Sequence, residues 1–200
     1  MKIPLVLVAA YLLGALPSAL VVSRRVAGVD IRTVGDGNMG ARNVARTLGW
    51  RPAAAVGAAD FGKGALAIAI AQAAGLSLGW QLAAGAAAVL GHDFPVFAQF
   101  RGGQGMATIL GTLAVLMPVE TFLGLAIFAG GYLLLRHFDA SATLGLGSLV
   151  LLAWLRHRPG LLIGYAVLAF LSIPAKKAWD LRRRRLREPS QVSVRGRDKR

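Results

Sequence analysis

From Pro4 to Ser23 the chain runs for twenty residues without a charged side chain. That is the length an α-helix needs to cross the ~30 Å apolar core of a bilayer. Six more apolar stretches follow, near 52–74, 78–97, 106–117, 119–135, 140–155 and 160–175. In lipid each backbone N–H and C=O must be satisfied within the chain, so such stretches fold as helices. The expected fold is therefore all-α: a polytopic integral membrane protein with about seven transmembrane helices and two glycine-rich cytoplasmic loops. Residues 106–117 are short for a span and predict a tilted or partial segment. Pro17 is expected to kink the first span, with Ser18 bonding a carbonyl freed there. Residues 1–178 read as one membrane domain, and 179–200 as a basic cytoplasmic tail, expected to be disordered.

Hydrophobic residues make up 56% of the chain, and there is no cysteine. Disulfides, thiol catalysis and thiolate metal sites are thereby excluded. Three scattered histidines point to no metal site either. The formal net charge is +14, and its placement decides its meaning. Residues 24–51 carry six arginines against two aspartates, a net +4, and 176–200 carry eleven Lys/Arg against three acids, a net +8. Positive charge beside apolar spans marks the cytoplasmic face and attracts anionic membrane lipids. The basic runs lack interleaved aromatics, so nucleic acid is not an expected partner. This orients the N-terminus outside and the C-terminus in the cytoplasm. It also leaves the cluster Arg156-His157-Arg158 outside, against the charge rule.

Two loops carry the chemistry. The first reads Gly35-Asp36-Gly37-Asn38-Met39-Gly40-Ala41-Arg42-Asn43, with Arg46 and Gly49 beyond it. Alternating glycines let a backbone turn through positive φ and expose its amides. Successive N–H groups at a helix start form an anion cradle. Arg42 and Arg46, four apart, share one face of that helix. The second loop follows Gly91-His92-Asp93-Phe94-Pro95 and reads Phe100-Arg101-Gly102-Gly103-Gln104-Gly105. Within the second span, Asp60 and Lys63 lie three apart, where they neutralise each other. They read as a packing ion pair or as functional groups. His92 reads either as a hydrogen-bonding partner for a substrate oxygen or as a helix-end histidine bonded to backbone.

In order and spacing the two loops resemble the motifs of the bacterial acyl-phosphate-dependent glycerol-3-phosphate acyltransferases, the PlsY family. The resemblance takes in Tyr11 to Ser18 and Asp60-Phe61-Gly62-Lys63-Gly64, and covers the chain from its N-terminus to about Gly111, and thinly to Arg136. It implies acyl transfer from acyl phosphate to glycerol-3-phosphate, giving lysophosphatidic acid and inorganic phosphate in phospholipid biosynthesis at the bacterial inner membrane. No cofactor or metal is implied. The family's catalytic positions fall on Asp36, in place of a serine, and Gln104, in place of a lysine. The family's threonine is Arg42, and its C-terminal asparagine has no counterpart in Lys176-Lys177-Ala178-Trp179. The resemblance assigns substrate binding to Gly35, Gly37, Asn38, Gly40, Arg42, Asn43 and Arg46 in the first loop. In the second it assigns His92, Arg101, Gly102, Gly103 and Gly105.

A carboxylate at 36 repels a phosphate unless a cation stands between them, and Arg42 is the expected partner of Asp36. These substitutions also fit a non-catalytic relative that binds anionic lipid or acyl phosphate. Asp60, Lys63 and the broken helices fit a small transporter, although no inverted repeat is visible. The charge distribution has a direct test. Single cysteines at Val34, Gln99 and Ser193 should all resist a membrane-impermeant thiol reagent in intact cells. Labelling of the first two from outside would sink a site shared by the loops.

Overall fold

The computed structural model describes residues 1–185, and among them there is no strand. The described residues form nine helices: α1 (Lys2–Gly14), α2 (Ser18–Ala27), α3 (Ala41–Leu48), α4 (Trp50–Ala73), α5 (Leu78–Asp93), α6 (Met106–Leu116), α7 (Pro118–Leu135), α8 (Phe138–Leu155) and α9 (Gly160–Arg185). Short 3₁₀ turns at Ile31–Thr33 and Val96–Ala98 interrupt the two loops.

Five of these segments are long and apolar enough to cross a membrane: the α1–α2 unit, α4, α7, α8 and α9. The expected count of about seven includes two shorter apolar helices, α5 and α6. The expected third span stops early because α5 has 16 residues, about 24 Å at ~1.5 Å per residue. With 11 residues, α6 reaches only about 16 Å by the same rise. Both are sheltered by longer helices. The buried core joins Leu82 and Val89 of α5, Ile109 and Leu113 of α6, Leu149 of α8 and Leu162 of α9. Outward faces are apolar instead, with Leu134 85% exposed and Leu168 70% exposed, a surface that lipid covers.

The helical hairpins sort the connections to two ends. Lys2 Nζ donates to Ala74 O at 2.9 Å, so the N-terminus and the α4–α5 turn share one end. Met117 and the α8–α9 turn lie at that end too, because Glu120 of α7 meets Arg156 and Arg158. The glycine loops, the α7–α8 turn and the end of α9 gather at the other. Trp50, Phe97, Phe100 and Trp179 are all exposed there, as expected of aromatic residues at a membrane–water interface. The last helix corrects a boundary: it continues through Pro174 to Arg185, so residues 179–185 of the expected tail are helical. The rest of that tail lies outside the described residues.

The cluster at 156–158 has a local explanation. Glu120 is fully buried and takes Arg158 in a fork, with Nε at 2.8 Å and Nη2 at 3.1 Å. Arg156 Nε lies 2.8 Å from the same carboxylate. Two positive charges thus close the α8–α9 turn onto α7.

Pairs of glycines set the closest helix crossings. A methyl at Gly111 of α6 would overlap the carbonyl of Phe61 in α4, and one at Gly64 would overlap that of Thr108. Gly14 and Gly91 make the same reciprocal contact between α1 and α5. Small residues let backbones touch, which is how membrane helices gain packing without a hydrophobic drive. Gly111→Ala should lower stability in detergent by about 1–3 kcal/mol, since a carbonyl cannot move aside as a flexible side chain can. Gly147→Ala, at a glycine with open space around it, should be neutral or slightly stabilising. Equal melting temperatures for the two variants would refute the crossing argument.

Candidate functional site

Asn43 builds the first loop. Fully buried, its Oδ1 accepts the amide of Asp36 at 3.0 Å. Its Nδ2 faces the carbonyls of Ile31 at 3.3 Å, Val34 at 3.0 Å and Asn38 at 3.1 Å. The side-chain amide is spent on backbone, so Asn43 shapes the loop from within. Gly35 turns at φ +61°, and a methyl there would overlap the Asn43 amide oxygen. Gly40 is extended and caps α3.

Because Asn43 pins the amide of Asp36 beside the middle of α3, that carboxylate reaches Arg46 one turn on. Asp36 Oδ2 lies 3.1 Å from Arg46 Nη1, and Oδ1 accepts the Asn38 amide at 3.0 Å. The expected Asp36–Arg42 pair is therefore replaced by Asp36–Arg46. Arg42 turns to α8, where it meets Asp139 at 2.6 Å and lies 4.2 Å over the ring of Phe138. Lys177 of α9 approaches the same carboxylate at 3.9 Å.

The second loop packs on the end of α5. His92 is buried, its Nδ1 3.5 Å from Asp60 Oδ1, and a methyl at Gly103 would overlap its Nε2. The Gly103 amide donates to His92 O at 3.2 Å, and Gly105 turns at φ +71°. Asp60 bonds Lys63 at 2.7 Å and accepts the hydroxyl of Ser18. Lys63 also donates to Leu16 O, the carbonyl exposed beside Pro17, and to Ser18 Oγ at 3.1 Å. Pro17 breaks the first span outright, and this ion pair closes the break.

Between the loops lies a cavity of about 320 Å³. Gly35, Asp36, Gly37 and Asn38 line it from the first loop and Arg101 and Gly102 from the second. Arg42, Arg46, Gln104 and His92 are not among its lining residues. Four residues the sequence reading missed are: Arg32, Thr33, Asp180 and Arg183. Arg32 forks onto Asp30 at 2.9 and 2.6 Å, and this bonding holds the Asp30 carboxyl well below the usual carboxylate range. Arg32 also reaches Ala98 O at 3.4 Å, while Arg183 reaches Phe100 O at 3.4 Å. The first loop and the last helix are thus each fastened to the second loop by a cavity arginine. The signal for Asp180 and Arg183 was their spacing: Lys176, Asp180 and Arg183 fall at i, i+4 and i+7 on one helical face.

Three arginines, two carboxylates and turned glycine backbone make a water-facing pocket suited to a phosphate beside hydroxyl groups. The loop's shape rests on Asn43. Asn43→Ala should cost about 2–4 kcal/mol, since several buried backbone groups lose their partner, and calorimetry should find weaker inorganic phosphate binding. Unchanged phosphate affinity and melting temperature would show that the loop holds itself.

A family model described as glycerol-3-phosphate acyltransferase matches residues 4–184. Glycerol-3-phosphate acyltransferase 2 of Dehalococcoides mccartyi is 42% identical over 153 residues, covering 74% of this chain and 71% of its own. The enzyme of that name from Geotalea daltonii is 37% identical over 179 residues, 90% of this chain and 92% of its own. Among solved structures, the integral membrane acyltransferase PlsY in its glycerol 3-phosphate form superposes with a TM-score of 0.81 at 30% identity, over 92% of each chain. Its lysophosphatidic acid form gives 0.80 at 29%. The chain belongs to the glycerol-3-phosphate acyltransferase family.

Proposed function

We propose that this chain transfers an acyl group from acyl phosphate to a hydroxyl of glycerol-3-phosphate, releasing lysophosphatidic acid and inorganic phosphate. The observation that carries the reading is the meeting of both glycine loops and α9 around one cavity with Arg32, Arg101 and Arg183 on its wall. Both substrates bear phosphate, and guanidinium groups bind phosphate through paired, charge-assisted hydrogen bonds. Acyl phosphate is already activated, so orientation and charge neutralisation supply much of the rate without a covalent enzyme intermediate. Backbone of Gly35, Gly37 and Gly102 lets the phosphates approach closely. Asn43, Arg46, Gly40, Gly103, Gly105 and His92 hold that backbone in place.

We assign the loop end to the cytoplasm, with the N-terminus outside and the C-terminus inside. The net positive charge of 24–51 and 176–200 supports this. Arg156 and Arg158 at the far end are bound to Glu120.

The test is turnover of acyl phosphate with glycerol-3-phosphate by the purified protein. Arg183→Ala should raise the KM for glycerol-3-phosphate at least tenfold, since a charge-assisted contact is worth roughly 1.5–3 kcal/mol. Arg183→Lys should recover part of it. Phosphate binding without any acyl transfer would favour the non-catalytic anion-binding relative instead.

A further inference from the structure

The α7–α8 hairpin is fastened differently at its two ends. At the far end Glu120 is fully buried and meets both Arg156 and Arg158 at 2.8 Å. A desolvated carboxylate with two guanidinium partners does not let go readily. Midway the two helices touch backbone to backbone. A methyl at Gly124 would stand 2.8 Å from Gly145 O, and one at Gly145 2.7 Å from Gly124 O. Towards the loop end Phe128, Tyr132 and Phe138 form one aromatic cluster, with ring centroids 5.5 to 6.4 Å apart. The hairpin is therefore a stiff unit.

Asp139 ties the loop end of that unit to its neighbours. It takes Arg42 of α3 at 2.6 Å and stands 3.9 Å from Lys177 of α9, while Arg42 lies 4.2 Å over the Phe138 ring. The side chain of Asp139 is 55% exposed and that of Arg42 38%, and ion pairs so exposed hold weakly. A buried clamp at one end and an exposed one at the other make a hinge and a latch.

Behind the latch an apolar cleft runs between the hairpin and α6. Met106, Leu110, Leu125, Phe128, Leu146 and Leu149 line it. Met106 directly follows Gly105 of the second loop, so the cleft begins where the phosphate-binding backbone ends. Its free space is about 10 Å³, room for about one water. The cleft is thus shut, and anything larger enters only if the hairpin moves off α6. An acyl phosphate held at the loops carries a hydrocarbon chain that is driven out of water into apolar surroundings.

We infer that the Arg42–Asp139 pair latches a lateral gate, through which the acyl chain of the substrate passes from the bilayer into this cleft. The hairpin swings about Glu120, the chain settles against α6, and the latch re-forms over it. The occupant rests on the acyltransferase reading above.

The chain has no cysteine, so introduced thiols report alone. The full-length protein in proteoliposomes is assayed with palmitoyl phosphate and with butanoyl phosphate, whose short chain needs no cleft. A protein carrying Arg42→Cys and Asp139→Cys is closed with a short, reducible thiol cross-linker. While closed, its palmitoyl rate should fall about tenfold or more relative to its butanoyl rate, as expected of a blocked lid. Reductant should restore the ratio. A ratio that is the same before and after reduction overturns the gate. A second measurement reads opening without turnover. The Leu110→Cys protein should react with an apolar maleimide about two- to fivefold faster when Asp139→Asn is added, the span an exposed ion pair can hold. Unchanged labelling overturns the latch, and it does so even if the two-cysteine protein does not fold or cross-link. Wild-type protein that transfers neither acyl group would sink the acyltransferase reading and the acyl chain as occupant, leaving the labelling rates to decide the latch by themselves.

Discussion

A lysine and an aspartate can be buried inside a lipid-embedded bundle when each neutralises the other and spare hydrogen bonds are filled. Asp60 and Lys63 meet both conditions and add a third function. Lys63 takes the Leu16 carbonyl and Ser18 bonds Asp60, so the break at Pro17 is sealed by α4. His92 stands against the same carboxylate, and the second loop packs on His92. The entry to the first loop and the exit from α5 are therefore both referenced to one turn of α4. Removal of one charge leaves the other uncompensated, while removal of both takes away the side-chain clamp across the break.

Above that anchor, four acids at the loop end of the bundle are each paired with a base. Asp30 takes Arg32, Asp36 takes Arg46, Asp139 takes Arg42, and Asp180 takes Lys176. Most of these pairs are partly exposed, and each alone contributes little to stability. Their effect is geometric. The Asp30–Arg32 pair aims one cavity arginine at the second loop, whose tip is strained: Gln99 and Phe100 both adopt positive φ. Two adjacent non-glycine residues in that region persist only where surrounding contacts hold them. Arg32 and Arg183 supply such contacts at Ala98 and Phe100.

The all-helical fold was legible because uncharged runs as long as 4–23 leave a membrane chain little else to form. The loops were legible too, through their glycines and their likeness to the family motifs. Gly35, Asp36, Gly37, Asn38, Arg101 and Gly102 come to one cavity from two distant places in the chain. Partner choice was not legible. Four-residue spacing put Arg42 and Arg46 on one face but could not say which would meet Asp36, because Asn43 decides that through backbone bonds. Nor was the reach of the last helix, since the apolar stretch stops at 175, just past Pro174, and a basic run follows. A proline costs a hydrogen bond and a clash, and here packing of Lys176 over Phe94 carries the helix past it. The shortness of α5 and α6 has a related reason. The ~20-residue rule holds for a segment that must meet lipid along its whole length.

That last point has a mechanical side. Residues Thr108 to Leu113 of α6 are all buried, whereas only 17% of α7 and 22% of α8 are buried inside the protein. A change in bilayer thickness strains helices through hydrophobic mismatch at their lipid-facing surface. In this protein the strain falls on the outer α7–α8 hairpin, which can tilt. The short inner helix that bears the second glycine loop rests on α4 through Gly64 and Gly111. The second glycine loop is thereby suspended from the interior of the bundle, while α9, which brings Asp180 and Arg183 to the pocket, meets the lipid.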